Sequence, residues 1–554
     1  MENKQQGVLI VKGKTVIKSG LTLLFGTMVL AGCQQKQTAT DKNLADKQVL
    51  NWNETSELAT LDPSKASDSL SFDMIGNSQE GLYRLDKKSQ PKPALADTMK
   101  SENHGQKYVV TLRENAKWSN GKPVTAKDFV YSWRRTVAPK TGAQYAYLFD
   151  GIHNANEIIA GKKEQKTLGI KATGKHQLTI TLDKKIPYFK LLLSFPIFFP
   201  QNQQTVEKYG DKYGTASKYM VYSGPFKVQK WSGSNLSWNL KKNTNYWDKS
   251  AVKLAQINFK VNKSNTTAYN LYQTKKLDML TLDSEQAKNL KNNNGYQVIS
   301  GSSTRYLEFN QNKKVFKNLK IRQAISMGID RQKLVKSVIA DGSVVSNSIV
   351  PKDLASYKEH DFTKDVNSND VNKFNQAQAQ KLLKQGLSEV GEKKLSLSLL
   401  TDDTDQAKKN AEFIQSQLED NLGITVKIDG VPFKTRLARS ASGDFDLAIG
   451  TWGADFTDPI SMLDTFVSSS PYNFGKWKNQ EYDDLIARAK NQDSNDPAQR
   501  WQDLVQAADT MNKDVGLAIL YQPNQAALIR SNVKNVVVHS AGQQFDWKET
   551  YIGK

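Results

Sequence analysis

From Leu395 to Pro459 the sequence switches repeatedly between two periodicities, and that switching limits what the chain can fold into. Leu395 to Leu400 (LSLSLL) alternates like a strand, and Thr404 to Leu418 carries helical spacing. Ile424 to Ile428 (ITVKI) is a second strand, Phe433 to Ala441 a short helix after Pro432, and Phe445 to Ile449 a third strand closed by Gly450. Strand, helix, strand, helix, strand is the signature of an α/β layer, in which ligands sit beyond the carboxyl ends of the strands. Thr451 to Asp455 is expected at such an end. Glycines there admit a second backbone, Trp452 offers a flat wall, and Asp455 offers one charge. Asp458-Pro459 then reads as a turn opening a helix. The competing reading is an ordinary loop with a solvated Asp455.

At 554 residues the chain is too long for one core, so two or three domains are expected. Its amino terminus is of another kind. Lys12, Lys14 and Lys18 precede an apolar run, Leu21 to Leu30, that is too short to span a membrane. Leu30-Ala31-Gly32-Cys33 comes next, and Cys33 is the only cysteine of the chain. Small residues before a cysteine resemble the bacterial lipoprotein signal, which implies that Cys33 takes a diacylglyceryl group and acyl chains such as palmitate. An ordinary secretion signal with an idle thiol is the alternative. A single cysteine forbids an intrachain disulfide, so stability rests on large cores.

The formal charge is +21, and +18 remains once residues 1–32 are set aside. The lysines are dispersed and no basic run is interleaved with aromatics, which argues against nucleic acid. A solvated basic surface beside an anionic membrane fits better. Residues 34–48 are polar, contain no aromatic residue, and read as a flexible tether; Val49 to Asn53 begins the ordered protein as a strand.

Tyr108 to Arg135 (YVVTLRENAKWSNGKPVTAKDFVYSWRR) is the most specific stretch. Tyr108 to Arg113 is a strand, Asn120-Gly121 a hairpin turn, and Thr125 with Asp128 a capping box opening an apolar-faced helix. It resembles the signature of the extracellular solute-binding proteins of peptide ABC importers, the peptide/nickel-binding type of family 5. Tyr222 to Phe226 (YSGPF), Asn245-Tyr246-Trp247, Leu277-Asp278-Met279, Arg305 to Asn310 (RYLEFN), Asn318 to Ile325 and Gly328 to Arg331 extend the resemblance. Trp452, Ala454, Asp455 and Asp458-Pro459 complete it, so it is collinear from about residue 49 to the end.

The resemblance implies a mixed α/β, two-lobed periplasmic-binding-protein-like fold of class II with an inserted domain and a hinge. Domain I would be discontinuous (49–79, 203–302 and 523–554), domain II inserted (80–202), and domain III (303–522) the second lobe. It also implies a monomeric, non-enzymatic lipoprotein on the outer face of the cell membrane. Its partners would be oligopeptides and the membrane permease of an importer, with no cofactor and no metal. Signalling peptides, sugars or metal chelates are alternatives within the family, and an adhesive lipoprotein is one outside it.

By resemblance the peptide lies extended between the lobes, paired through its backbone like an added strand. Asp455 matches the acid that meets the peptide's α-ammonium. Thr451, Trp452 and Gly453 would supply the backbone edge, and Phe433 stands where relatives carry a tryptophan. Tyr145, Ser223, Gly224, Tyr306, Glu308 and Tyr521 fall near the ligand in relatives; Tyr306 and Tyr521 equally suit a core, and Glu308 a strand edge or ion pair. One departure stands out: Ile449 occupies the place of an arginine that helps receive the ligand carboxylate in enterobacterial members. Arg439 and Lys434 are candidate substitutes.

Enzymatic readings are weaker. The five histidines are scattered, without metal-ligand spacing. Ser119 to Lys122 fits S-x-x-K and Lys140 to Gly142 fits K-T-G, as in penicillin-recognising acyl enzymes. That chemistry needs the serine on a helix with the lysine one turn away, whereas Asn120-Gly121 and Pro123 put Ser119 in a turn.

Overall fold

In the computed structural model residues 43–367 and 370–554 are described. The signal segment, the lipidation candidate Cys33 and the tether up to residue 42 lie outside the described residues. Three large sheets organise the chain from residue 49 onward. A seven-stranded sheet runs in the order Tyr296–Ser300, Asn524–Ile529, Met279–Thr281, Val49–Glu54, Gln256–Val261, Ser237–Lys242, Phe226–Gln229. A four-stranded antiparallel sheet, within residues 96–181, carries the Lys107–Leu112 strand. A six-stranded sheet runs Val344–Val345, Leu517–Gln522, Ser303–Phe309, Leu447–Gly453, Ser396–Asp402, Thr425–Val431. Helices and antiparallel strands mix with the parallel ones, so the class is mixed α/β.

Local chemistry sets several boundaries. The Thr125–Asp128 capping box closes as its spacing predicts, and opens the Ala126–Val137 helix that buries Phe129, Trp133 and Val137 at helical intervals. Trp133 then donates its indole hydrogen to the Phe198 carbonyl at 2.9 Å. The Asp405–Leu422 helix is capped by Thr404, which accepts from Ala407 N, and ends on Gly423 at φ 66°. Leu517–Gln522 is buried along its whole length, as befits a strand paired on both sides with a face covered.

Two expectations change. Composition predicts a tether as far as residue 48, but Leu44 pairs with Gly553, Ala45 N donates to the Ile552 carbonyl at 2.9 Å, and the Gln48 side chain bonds Ile552 N and O. A polar stretch without periodicity is held here by backbone pairing to the far end of the chain, which composition does not report.

The third strand of the α/β layer is expected to end at Gly450; it runs Leu447–Gly453. Gly450 closes nothing. It lies opposite Tyr306 in the antiparallel ladder, and a Cβ there would stand 2.4 Å from the Tyr306 ring. The glycine is therefore the condition for the strand to continue past a tyrosine, and Thr451 and Trp452 are good strand formers.

Candidate functional site

The Leu447–Gly453 strand has unequal edges. On one side it pairs with Ser303–Phe309 over its full length, Phe309 opposite Leu447 and Ser303 opposite Gly453. On the other side it pairs with Ser396–Asp402 only at Leu447 and Ala448. Ser396–Asp402 continues instead with Thr425–Val431, as far as Asp402 opposite Val431. Ile449 to Gly453 are left with one unpaired edge among the described residues, and that edge lines a cavity of about 420 Å³. The facing walls come from Asp68, Ser69 and Phe72 at the start of the Ser69–Ser78 helix, from Tyr145, and from the Phe433–Ser442 helix.

Asp455 sits just past the strand. Its N–H donates to Ser461 Oγ at 2.6 Å, which fixes the backbone, and the Tyr145 hydroxyl donates to its Oδ1 at 3.2 Å. Oδ2 is buried without a partner among the described residues, and the residue is 6% exposed. Burial pushes this carboxyl well above the ordinary range, opposed only by the Tyr145 hydrogen bond. No described cation pairs with it. An isolated buried carboxylate costs several kcal/mol, so the group either holds a proton or receives a cation.

Around it stands an aromatic enclosure. Tyr145 stacks on Trp452 with centroids 6.2 Å apart, and Tyr472 meets Trp452 edge-on at 4.6 Å and Tyr145 at 5.1 Å. The hydroxyls of Tyr147 and Tyr472 are buried without hydrogen-bond partners among the described residues. Burial, then the charge of Asp455, pushes both phenols well above their ordinary range, so they stay neutral.

Further along the wall, Glu308 is 3% exposed and accepts from Gly475 N at 2.7 Å. Burial pushes it up to about 7 against hydrogen bonds and the charges of Arg436 and Lys476. Arg436 donates from Nε to Asp402 Oδ1 at 3.0 Å and stands 5.3 Å over the Phe433 ring. Arg305 borders both this cavity and an adjoining one of about 320 Å³, with its Nε buried and without a hydrogen-bond partner among the described residues.

Of the residues singled out in the sequence, Thr451, Trp452, Gly453, Asp455, Phe433, Tyr145, Tyr306 and Glu308 line one cavity. Tyr306 also packs edge-on against Phe466, so its core and lining roles coexist. Tyr521 borders the adjoining cavity, where its hydroxyl accepts from Asn410 Nδ2 at 2.8 Å. Ser223 and Gly224 are not brought to either cavity. Ser223 Oγ accepts from Glu80 N, and a Cβ on Gly224 would meet the Gln79 backbone at 2.6 Å, so this pair seats one segment against another.

Arg439 is engaged by Asp444 at 2.7 Å and Asp429 at 3.3 Å, and is not a cavity residue. Sequence reasoning misses Arg436, Arg305, Tyr472 and Asp68. Arg436 has a signal: it stands three residues beyond Phe433 on a helix and so shares its face.

The acyl-enzyme reading loses its geometry. Ser119 Oγ accepts from Tyr222 N at 3.1 Å, Lys122 Nζ donates to Gln204 at 2.6 Å, and Lys140-Thr141 lie in a 3₁₀ turn.

Residues 90–474 match the family described as bacterial extracellular solute-binding proteins, family 5 Middle. The dipeptide-binding protein of Lactococcus lactis subsp. cremoris is 36% identical, across 98% of this chain and 100% of that protein. The structure of Listeria monocytogenes OppA bound to peptide superposes with a TM-score of 0.88 at 39% identity, over 92% of this chain and 100% of the other. The pheromone receptor PrgZ, whose structure reports its mode of peptide binding, superposes with a TM-score of 0.87 at 37% identity, again over 92% and 100%.

Proposed function

The chain belongs to the bacterial extracellular solute-binding proteins of family 5, a family of binding proteins rather than enzymes, and on that premise we propose that it captures oligopeptides in extended form and delivers them to an ABC permease. The observation that carries this reading is the unpaired edge of Ile449–Gly453, which ends at a buried acid with a vacant oxygen. A peptide backbone added to that edge makes the ladder bonds that Ser396–Asp402 does not make beyond Ala448, whatever its side chains. Its α-ammonium is the cation that Asp455 Oδ2 lacks. Tyr145 orients the carboxylate, and the rings of Tyr145, Trp452 and Tyr472 keep water from competing.

Phe433, Thr451, Trp452, Gly453, Tyr306 and Glu308 form the remaining contact surface in this reading, with Tyr521 reached through the adjoining cavity. The proposed division is domain I (49–79, 203–302 and 523–554), inserted domain II (80–202) and domain III (303–522). Sheet membership supports it: strands from residues 49–54, 226–300 and 524–529 share one sheet, and strands from 303–522 another. In this reading the ligand is enclosed where Tyr145 of domain II and Asp68 of domain I already stand with Asp455 around one cavity. Cys33 is the proposed lipid anchor, which holds a monomer on the outer face of the membrane.

Native mass spectrometry of freshly purified protein tests the reading. Peptide adducts of several lengths, displaced by added peptide, are the expected result. Adducts of sugar or metal-chelate mass would overturn it, and one dominant peptide would favour the signalling-peptide alternative that the likeness to PrgZ supports.

A further inference from the structure

The seven-stranded sheet is basic at the end that lies away from the cavity. Its Val49–Glu54 strand leads into Thr55 and Ser56, which border the ligand cavity and its neighbours, so Val49 marks the opposite end. There Val49 pairs with Gln256, Gln256 with Lys241, and Lys241 with Lys227. Lys227 and Lys241 stand directly opposite each other, a placing of like charges that costs a sheet stability. The next residue, Lys242, is half-buried. Burial, with the charges of Lys253 and Lys249, holds its ammonium below the ordinary range. Lys47 precedes Gln48, whose carbonyl accepts from Ala255 N at 2.8 Å and Gln256 N at 3.3 Å, so it belongs to the same end. Lys47, Lys241 and Lys249 are exposed, and no described acid forms an ion pair with them or with Lys227. Asp248, in the loop between the strands, is engaged by Lys548 at 2.7 Å, which leaves Asp46 as the other acid on these segments.

The amino-terminal segment joins the fold at this end. Leu44 pairs with Gly553 and Ala45 with Ile552, just before Gln48. Nine residues, 34–42, separate Cys33 from Asn43. At about 3.6 Å per residue at most, a lipid on Cys33 stays within about 36 Å of Asn43.

We infer that the cluster of Lys47, Lys227, Lys241, Lys242 and Lys249 is a docking surface for anionic phospholipid headgroups, which seats this end of the sheet on the membrane. The membrane's nearness rests on the reading that Cys33 carries the lipid. The lipid limits how far the fold can stray, and the cluster decides which way it faces. Headgroup phosphates supply the anions that this surface lacks and relieve the repulsion between Lys227 and Lys241. In physiological salt the attraction reaches only about 8 Å, so lysines dispersed over the rest of the surface add little. A lysine brought to such headgroups is worth up to about fivefold in binding, and neighbouring lysines multiply the effect. With the sheet seated this way, the ligand cavity lies on the side away from the membrane, where ligand arrives.

The test removes the lipid so that the surface is read by itself. The compact unit begins at Leu44, so a chain starting at Gln34 keeps all of it. This chain is floated with vesicles of phosphatidylcholine alone, or of phosphatidylcholine and phosphatidylglycerol in equal parts. It should bind the anionic vesicles and not the neutral ones, and lose about tenfold or more between about 0.05 and 0.5 M salt. Changing Lys47, Lys227, Lys241 and Lys249 together to Gln should cost about tenfold or more, and Lys241→Gln or Lys249→Gln alone about two- to fivefold. The control changes Lys381, Lys384, Lys393 and Lys394 to Gln, four exposed lysines of the other lobe, and should bind vesicles as wild type does. Peptide affinity should be unchanged in every variant, which reports that each is folded. Equal binding to neutral vesicles, equal losses in the two fourfold variants, or no loss in the first overturns the docking surface. Membrane release by Cys33→Ser is a separate measurement, so failure of the anchor reading leaves the vesicle series to decide the surface.

Discussion

Tyr145 donates its hydroxyl hydrogen to Asp455 Oδ1 at 3.2 Å from a segment 310 residues away, and Asp455 Oδ2 meets no donor among the described residues. A half-satisfied buried carboxylate is costly, and either a proton or an arriving cation relieves the cost.

Asp455→Ala should therefore weaken peptide binding severely. Removing one partner of a desolvated ion pair strands the other charge, at about 3–5 kcal/mol, which is on the order of a hundredfold or more in Kd. An exposed acid would give about 0–1 kcal/mol. Calorimetry with free and N-acetylated peptide separates the two. Wild type should strongly prefer the free amine and the variant should be indifferent.

Peptide binding should release protons. Burial raises the Asp455 carboxyl in the empty cavity, and an adjacent ammonium lowers it again, so the complex holds fewer protons than the free protein. Affinity accordingly rises with pH through the raised value and falls in acid. Titrations in two buffers of different ionisation heat, between about pH 5 and 8, measure the number released. Net uptake, or equal release with an N-acetylated peptide, contradicts this account.

Glu308 makes a stability prediction of definite sign. Its carboxyl stands at about 7 in the fold against 4.5 as a reference, so the folded state resists ionisation. The stability it contributes is fully present below the unfolded value and is lost as pH rises through about 7. Glu308→Gln, which can still accept from Gly475 N, should gain on wild type by on the order of 2–3 kcal/mol above that pH and by little in acid. Urea unfolding across this range would show a constant difference if Glu308 were an ordinary surface acid.

Gly450→Ala should destabilise the protein by about 1–3 kcal/mol, because the added methyl overlaps the Tyr306 ring at 2.4–3.0 Å in a packed sheet. Tyr306→Leu in the same chain should restore most of the loss. Urea midpoints that fail to recover would place the strain elsewhere.

Cys33→Ser should move the protein from the membrane fraction to the medium, since Cys33, the one cysteine, is the proposed acceptor for lipid after Leu30-Ala31-Gly32. Fractionation with detection of the unprocessed precursor checks it, and a variant that stays membrane-bound with normal processing refutes the anchor.

Elements built on local periodicity are legible in the sequence. The strands and helices from 395 to 442, the Thr125 capping box and the Asn120-Gly121 turn depend on neighbours a few residues apart. Contacts between distant segments are not. Gly450 looks like a terminator because its reason, the Tyr306 ring, lies 144 positions upstream. Ser223 and Gly224 carry a motif that suits a binding wall, yet their partners are Gln79 and Glu80. Arg436 escapes notice between Lys434 and Arg439 because only Asp402 and Phe433, folded against it, distinguish it from a solvated surface cation.

The short parting of Ser396–Asp402 from Leu447–Gly453 also bears on how the protein behaves in a crowded exterior. A bare strand edge is a template for other chains and a recurrent cause of aggregation. Here it is limited to Ile449–Gly453, interrupted by two glycines and sunk in a walled cavity, so it is accessible to one thin chain and not to a sheet. In the proposed binding mode a peptide occupies this edge and leaves it no free pairing groups. The walls that admit a single extended chain thereby also keep the empty protein from pairing edge to edge with its neighbours.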